Sequence, residues 1–322
     1  MNKITIIIPV YNNFTTIQEV FDSLEKQNHK ELIEEIIIID DNSNDNTRNL
    51  IEKYQNESSF KTKLIIHTKS NGLAANYNEG IELSKTDYFI LMHADIVLIG
   101  YNSFSKMLEP LLKNEDVIAS YPIILHPYSV WKDYNFWQKC LFSRFVGKRL
   151  KMITGKFDCF NKKLLLNRIG LFNETTYRTA GEDSDIKIRI NKIGKLKVFS
   201  SGIEIIHLHN KDFNFSLKKL IKKEAQLAEA QGAVLRKYGI LNTKGFILSF
   251  FREILVIGSF IPYLQLFTII FVIIYSFVYT KLVFLKEISD KKIVLLPLIN
   301  ILLLFVSLFY SFKGFIYGKQ TI

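Results

Sequence analysis

Three short apolar runs, each ending in acidic or amide residues, constrain this 322-residue chain more than any other feature. Ile4–Val10 leads into Tyr11-Asn12-Asn13, residues 35–39 into Asp40-Asp41-Asn42-Ser43, and Tyr88–Met92 into His93-Ala94-Asp95. Continuous runs rich in Ile and Val suit the strands of a parallel sheet covered on both faces. In such sheets ligands bind just beyond the carboxyl ends of the strands. The three polar ends therefore predict a single site. It is acidic within a chain of net charge +11, a contrast that points to a divalent cation held against an anionic ligand.

Helical patterns separate these runs. Residues 15–27 place Ile17, Val20, Phe21 and Leu24 on one face, with Thr15 or Thr16 as cap and Glu19 three residues after Thr16. A helix over 44–54, a strand over 63–67 and a helix over Leu73–Leu83 complete the first hundred residues. This alternation predicts an α/β, doubly wound sheet with right-handed crossovers. Residues 101–212 are less regular, with strands expected over 117–121 and 197–200 and helices over 162–169 and 183–193. Aromatic and basic residues interleave over 131–152, as either an amphipathic cover for the sheet or an interfacial segment near an acceptor.

The composition then shifts. Residues 216–238 carry six Lys or Arg residues beside Leu217, Leu220 and Ile221, as in a connecting helix along a membrane or a plain surface helix. Neither 254–279 nor 293–312 contains a charged residue. At about 1.5 Å per residue each is long enough for a hydrocarbon core of about 30 Å. A C-terminal α-helical transmembrane hairpin is expected, spanning at about 254–279 and 293–312, with a re-entrant form left open by Pro262 and Pro297. The organisation expected is thus 1–100, 101–212, a connecting region 213–252 and a membrane hairpin 253–322. Arg236, Lys237, Lys244, Arg252, Lys313 and Lys319 flank the hairpin. They outnumber Lys281, Lys286, Lys291 and Lys292 in its loop, favouring a multi-pass cell-membrane protein with its catalytic part in the cytoplasm.

Several classes are disfavoured. Cys140 and Cys159 make neither a disulfide framework nor a metal-site spacing, and are read as buried thiols. No secretory signal is expected, because Pro9 and Asn12 cut the first apolar run short. The basic charge invites nucleic acid, but zinc spacings, RNA-binding aromatic signatures and helix-turn-helix patterns are missing, so no nucleic-acid partner is expected.

At the strand ends, Asp95 is the natural ligand for a metal, and His93 points to the same side if the strand continues. The imidazole favours Mn2+, with Mg2+ retained as the alternative. Asp41 is placed to accept a hydrogen bond from a base or ribose. His67 is read as structural, and Asp185, Arg189 and Arg178 as surface ion-pair members.

The order and wording of these segments resemble family 2 inverting glycosyltransferases with the GT-A fold, a nucleotide-binding, Rossmann-like mixed sheet. The opening stretch from Ile6 to Asn12, then Asp40-Asp41-Asn42-Ser43-Asn44-Asp45, looks like the family's first two motifs. Asn71-Gly72-Leu73-Ala74-Ala75-Asn76-Tyr77-Asn78-Glu79-Gly80 looks like the third, with Asn76 where the family often has Ala. His93-Ala94-Asp95 stands at the Asp-X-Asp motif, with His in place of the first Asp. Gly181-Glu182-Asp183-Ser184-Asp185 resembles the Glu-Asp motif. Ile206-His207-Leu208-His209-Asn210, followed by Phe215-Ser216-Leu217-Lys218, is similar to the closing motif of the rhamnosyltransferase-like branch.

The resemblance implies site roles. Asp183 would be the catalytic base, accompanied by Glu182. Pro9, Tyr11, Asp40, Asp41, Asn78 and Ala94 would line the donor nucleotide site. Asp95, His93 and His209, with His207 as the alternative, would hold the metal, His207 and His209 sharing a strand face. The expected activity is inverting transfer from a nucleotide-sugar donor to a lipid-linked or glycan acceptor at a membrane. A polyprenyl-phosphate acceptor is the alternative, against which His93-Ala94-Asp95-Ile96-Val97 lacks the Asp-Ala-Asp-Leu-Gln wording. A non-catalytic scaffold subunit is the alternative of another class, opposed by the intact Glu182, Asp183 and Asp95.

Overall fold

The computed structural model describes residues 2–239, 251–278, 282–287 and 290–322. Lys244, Tyr279 and Lys281, which enter the span and orientation arguments, lie outside the described residues. The chain divides into two compact units. The first comprises Met1–Pro127, Gly147–Glu174 and Glu182–Lys211; the second comprises Tyr128–Val146, Thr175–Gly181 and Asp212–Ile322. Two short insertions within 101–212, Tyr128–Val146 and Thr175–Gly181, belong to the second unit.

The first unit holds the sheet. Among the described residues it has nine strands: β1 (Ile4–Val10), β2 (Ile33–Asp40), β3 (Thr62–Ile66), β4 (Tyr88–Met92), β5 (Ile96–Leu98), β6 (Val117–Leu125), β7 (Arg149–Lys151), β8 (Phe157–Asn161) and β9 (Lys197–His207). They run in the order β3-β2-β1-β4-β8-β6-β9-β5, with β7 paired to β6. β1 is parallel to both β2 and β4, and β2 is parallel to β3. β8 is antiparallel to β4 and β6, whereas β6 and β9 are parallel. The sheet is therefore mixed. Reversing direction twice, at β8 and again at β6, returns β6 and β9 to the sense of β4.

Alternation along the strands fills two cores. Ile4, Ile6, Ile8 and Val10 pack with Ile36, Ile38, Ile90 and the buried faces of α1 (Ile17–Glu25), α2 (Thr47–Glu57) and α4 (Ser103–Lys113). Ile7, Ile37, Ile39, Phe89 and Leu91 pack on the other face with residues of α3 (Leu73–Leu83) and α8 (Glu182–Ile193). Gly80 in α3 faces Ile7, with no room for a Cβ. Pro9 is accommodated in a buried strand because it lies past Ile7–Leu91, the last β1–β4 pair.

The sequence pattern placed β1, α3 and β4 at their observed bounds. It stopped β6 at Tyr121, before Pro122. The strand continues to Leu125 because the ladder with β9 shifts register between Tyr121 and Ile123, where a bulge tolerates proline. Thr16 is the residue before α1 but makes no side-chain cap; its hydroxyl donates to the Ala94 carbonyl instead. The expected helix over 162–169 is a short α7 (Lys162–Leu164) followed by a π-helical turn, Leu165–Ile169.

In the second unit, 131–152 supplies α5 (Tyr128–Trp131) and α6 (Phe136–Phe142) before the chain returns to the first unit at β7. Trp131, Tyr134, Phe136 and Leu141 pack with Phe215, Leu220, Phe284, Leu296, Ile299 and Leu303, so these residues cover the C-terminal part of the chain and not the sheet, as the amphipathic reading had it. α9 (Leu217–Tyr238) starts at Ser216, whose side chain accepts from the Lys219 N–H.

The expected pair of spans needs correction. Helix Phe251–Gly258 stops, and helix Gln265–Val278 restarts after a turn containing Pro262 and Tyr263 at φ 69°. Proline has no N–H to continue the ladder and forces the residue before it out of the helical region. The second piece has 14 residues, about 21 Å, too short for the hydrocarbon core. Among the described residues one helix, Leu296–Tyr317, is long and apolar enough to cross a membrane.

That helix packs against α9 through two glycines. A Cβ on Gly232 would overlap the Ser311 carbonyl oxygen, and one on Gly314 would overlap the Glu229 carbonyl oxygen. Gly232→Ala should lower the thermal midpoint of the detergent-solubilised chain, although alanine is the better helix former by about 1 kcal/mol. An unchanged or higher midpoint would show that the helices do not approach so closely.

Candidate functional site

The site lies in the first unit, at the edge reached by the carboxyl ends of β1, β2, β4, β6 and β9. Left-handed residues mark three of these exits: Asn12 after β1, Asn42 after β2 and His209 after β9. Asn and His tolerate this region better than branched residues. Here the amides also stitch the exits together. The Asn12 N–H donates to Ser43 Oγ at 2.9 Å, and the Asn44 N–H donates to Asn12 Oδ1 at 2.8 Å.

Two aspartates follow β2 in different roles. Asp40 is buried; it accepts from the Ser43 N–H at 2.9 Å and pairs with Arg48 at 2.9 Å. It braces the turn rather than facing the cleft, as the donor-site expectation had it. Asp41 accepts from the Asn71 N–H (2.8 Å), the Ser70 hydroxyl (2.7 Å) and the Gly72 N–H (3.1 Å), and meets His67 Nδ1 at 3.2 Å. Burial alone would raise its pKa, but these donors outweigh burial and hold it below the usual carboxylate range. His67 also reaches Glu79 at 2.8 Å, so it clamps Asp41 to α3, in keeping with its structural reading.

The other expected donor-site residues divide similarly. Tyr11 is exposed at the end of β1, and its N–H donates to Asn13 Oδ1. Ala94 is buried, with its carbonyl engaged by Thr16. Asn78 departs from expectation. Its amide donates to the Phe172 carbonyl and Glu174, and its oxygen accepts from the Phe172 N–H, so the whole group clamps 172–174.

Asp95 is the centre of the site. Only residues 93–95 separate β4 from β5, yet β5 pairs with β9, Ile96 opposite His207. That turn brings the end of β9 to the end of β4. Asp95 Oδ2 lies 3.1 Å from His207 Nε2, and Oδ1 lies 3.9 Å from His93 Nδ1. His93 Nε2, Asp95 Oδ1 and His207 Nδ1 are buried atoms with no hydrogen-bond partner among the described residues. Buried polar atoms of this kind usually answer to an absent ligand. Ligand atoms of His93, Asp95 and His207 lie within 4.8 Å of one another, so the residues fit a divalent cation.

His209 stands beside His207, ring centroids 3.6 Å apart, and its Nε2 is 3.2 Å from His126 Nδ1. Burial and the nearby Lys156 charge push the pKa of His93 and of His126 down to about 4. Burial likewise puts His207 and His209 well below the ordinary value. Neutral imidazoles are the form that binds metals.

The Glu-Asp pair opens α8, where acids suit the helix dipole. Glu182 is buried and its Oε2 has no hydrogen-bond partner among the described residues. Burial, then repulsion from Asp183, raises its pKa from 4.5 to about 7. Asp183 is more accessible and pairs with Lys187 at 3.4 Å. Asp185 and Arg189 are not a surface pair. Asp185 is fully buried and holds Arg189 Nε at 2.8 Å, while Arg189 also donates to the Ile169 carbonyl. Arg178 belongs to the second unit, where its N–H donates to Gln320.

Buried Tyr77 joins these parts. Burial raises its phenol pKa, and the charges of Glu182, Asp158, Asp183 and Asp95 raise it further, so all four carboxylates act on one hydroxyl. Sequence reasoning missed Asp158, Lys156 and His126. Asp158 is buried in β8 and accepts from the Thr154 and Gly155 N–H groups; burial raises its pKa to about 7. Lys156, half-buried at the amino end of β8, influences Asp158, Glu182 and all four histidines. Extending β6 through Pro122 would have exposed His126 as a strand-end residue.

Known proteins share this framework. Over the full chain it is 23% identical to the dolichyl N-acetyl-alpha-D-glucosaminyl phosphate 3-beta-D-2,3-diacetamido-2,3-dideoxy-beta-D-glucuronosyltransferase of Methanococcus voltae, covering 99% of that protein. It is 34% identical over 100 residues to the poly(ribitol-phosphate) beta-N-acetylglucosaminyltransferase TarP of Staphylococcus aureus, 30% of either length. In fold it resembles the mannosyltransferase PcManGT of Pyrobaculum calidifontis, solved with GDP-Man and Mn2+. The TM-score is 0.60 at 14% identity, over 99% of this chain and 88% of that one. Residues 5–169, just over half of the chain, match the glycosyl transferase family 2 pattern, and the chain belongs to that family.

Proposed function

We propose that the chain is a membrane-associated enzyme that moves a sugar from a nucleotide-sugar to a lipid-linked or membrane-proximal glycan acceptor, with inversion. The observation that carries this reading is the cluster of Asp95 with His93 and His207 at the carboxyl ends of β4 and β9, a donor set fit for the cation that a diphosphate needs. On this reading Asp183, at the start of α8, opens onto the same site. Relatives support the acceptor class: the Methanococcus enzyme is named for a dolichyl-phosphate sugar, and a Campylobacter jejuni glucosyltransferase, 25% identical over 60% of either chain, for an undecaprenyl-diphosphate glycan. The wording of residues 206–210 supports a rhamnosyltransferase-like branch.

The donor's nucleoside lies over the exits of β1 and β2, where Tyr11 offers an exposed ring and Asp41 a carboxylate held ionised. Asp95, with His93 and His207 or His209, would hold Mn2+ or Mg2+. When bound, the cation supplies positive charge against the diphosphate. Lys156 adds a fixed charge on the same side. Glu182 and Asp183 divide the work of a carboxylate pair: with a proton on the buried member, the accessible member is left to accept one. Asp183 takes the acceptor hydroxyl proton as that oxygen bonds to the anomeric carbon. The carbon–phosphate oxygen bond breaks in the same displacement, and its electron pair leaves on the diphosphate.

Attachment to the bilayer follows from the second unit. Leu298, Leu302, Phe305, Phe309, Phe312 and Ile316 recur at three- and four-residue spacing on Leu296–Tyr317, all exposed. An exposed apolar stripe of that length suits lipid rather than water.

Three results test the reading. Asp183→Asn should cut turnover by roughly 10²–10⁴ while donor binding persists; normal turnover would remove Asp183 as the base. Glu182 keeps a proton in the folded chain that the unfolded chain releases. The contribution of Glu182 to stability should therefore fall as pH rises from 4.5 to about 7. Glu182→Gln should escape this, opening a gap of up to about 3 kcal/mol above pH 7. A pH-independent gap in unfolding scans would assign Glu182 another environment. In flotation with lipid vesicles the full chain should rise with the lipid, and Phe305→Glu/Phe309→Glu should lose most of that recovery. Equal recovery would place the membrane contact elsewhere.

A further inference from the structure

β6 and β9 are adjacent parallel strands with Leu125 opposite Ile206, so the next residues, His126 and His207, end side by side. Two residues on, His209 adopts φ 52°, and its ring lies against both. The rings of His126 and His209 are stacked at 5.2 Å with an interplanar angle of 19°, and those of His126 and His207 are 5.3 Å apart. Ligand atoms of all three lie within 4.8 Å of one another, and all three side chains are buried. A second triad, His93, Asp95 and His207, shares His207 and adds the carboxylate of Asp95. The polar density of this corner is thus mostly imidazole nitrogen.

Packing alone does not favour this arrangement. Three buried imidazoles bring polar nitrogens out of water; His126 Nδ1 and His209 Nε2 face each other at 3.2 Å and His207 Nε2 meets Asp95, while His207 Nδ1 has no hydrogen-bond partner among the described residues. Nitrogens placed this close together are also what a metal ion would take as ligands. Mg2+ suits it poorly, because that ion prefers oxygen ligands and keeps most of its water. Imidazole-rich sites suit Co2+, Zn2+ and, less strongly, Mn2+.

We propose that His126 joins His207 and His209 in a nitrogen-donor site for a first-row transition-metal ion, and that His126 sets its preference over Mg2+. The site extends the metal centre of the proposed function but does not depend on sugar transfer. The ion would be held before any nucleotide arrives.

The test is titration of the untagged full chain in detergent with Co2+, without nucleotide, followed by visible absorption and equilibrium dialysis. Bound Co2+ should show ligand-field bands, and a hundredfold excess of Mg2+ should not displace it. His126→Ala should weaken Co2+ binding by roughly tenfold or more, while His29→Ala, in an exposed loop, should bind as wild type. Should His126→Ala fold poorly, His126→Asn keeps a hydrogen-bonding side chain without the imidazole. It should restore the thermal midpoint but not Co2+ affinity. Wild-type affinity in either variant, no Co2+ binding, or displacement by an equal concentration of Mg2+ would overturn the proposal. If Co2+ binding depends on His126 but no nucleotide-sugar is turned over, the transfer reading fails and this one stands.

Discussion

Strand direction is the constraint on which the rest of the molecule depends. Parallel pairing of β1 with β2 and β4 sends three carboxyl ends to one edge, carrying Tyr11, Asp41 and Asp95 with them. Antiparallel β8 reverses the sense, so its amino end, with Lys156 and Asp158, faces that same edge. A second reversal at β6 and parallel pairing with β9 bring His126 and His207 there as well. Strand direction thus puts residues from six strands at one edge of the sheet. A sheet of one sense could place only carboxyl ends at this edge. The inserted antiparallel strand is what adds a cation and a further carboxylate.

Electrostatics then assigns the parts. Asp41 is surrounded by donors and stays charged, whereas Glu182 and Asp158 are buried and favour the protonated form. The imidazoles near Asp95 are kept neutral by burial beside Lys156. The basic surplus of the chain lies elsewhere, in large part along the helices of the second unit. An acidic, histidine-rich cleft inside a basic protein is thus a local product of burial and hydrogen bonding rather than of composition.

Much of this was legible in the residues. The runs that became β1, α3 and β4 have unbroken local signals, and the acidic exits of β2 and β4 named Asp41 and Asp95. Glu182 and Asp183 came from family resemblance, since a Glu-Asp pair is by itself an ordinary helix start. What stayed hidden was non-local. Asp40 and Asn78 face inward because Arg48 and 172–174 happen to meet them. β8 carries Asp158 in an apolar run, which disguises a buried strand. His126 becomes a neighbour of His207 only through a register set beyond a proline bulge. In the C-terminal region hydropathy alone showed apolar length, whereas Pro262, which left a re-entrant form open, marked the place where the helix breaks.

On the proposed function, Asp95 and Asp183 open onto one cleft in which a cation would meet the donor diphosphate. Crystals of the full chain grown with Mn2+ and a nucleoside diphosphate, with data collected for manganese anomalous scattering, test this most directly. The account predicts one strong peak at coordination distance, roughly 2–2.5 Å, from the Asp95 carboxylate, with the diphosphate beside it and Asp183 across the same cleft. A peak remote from Asp95, or Asp183 opening onto another surface, would contradict it.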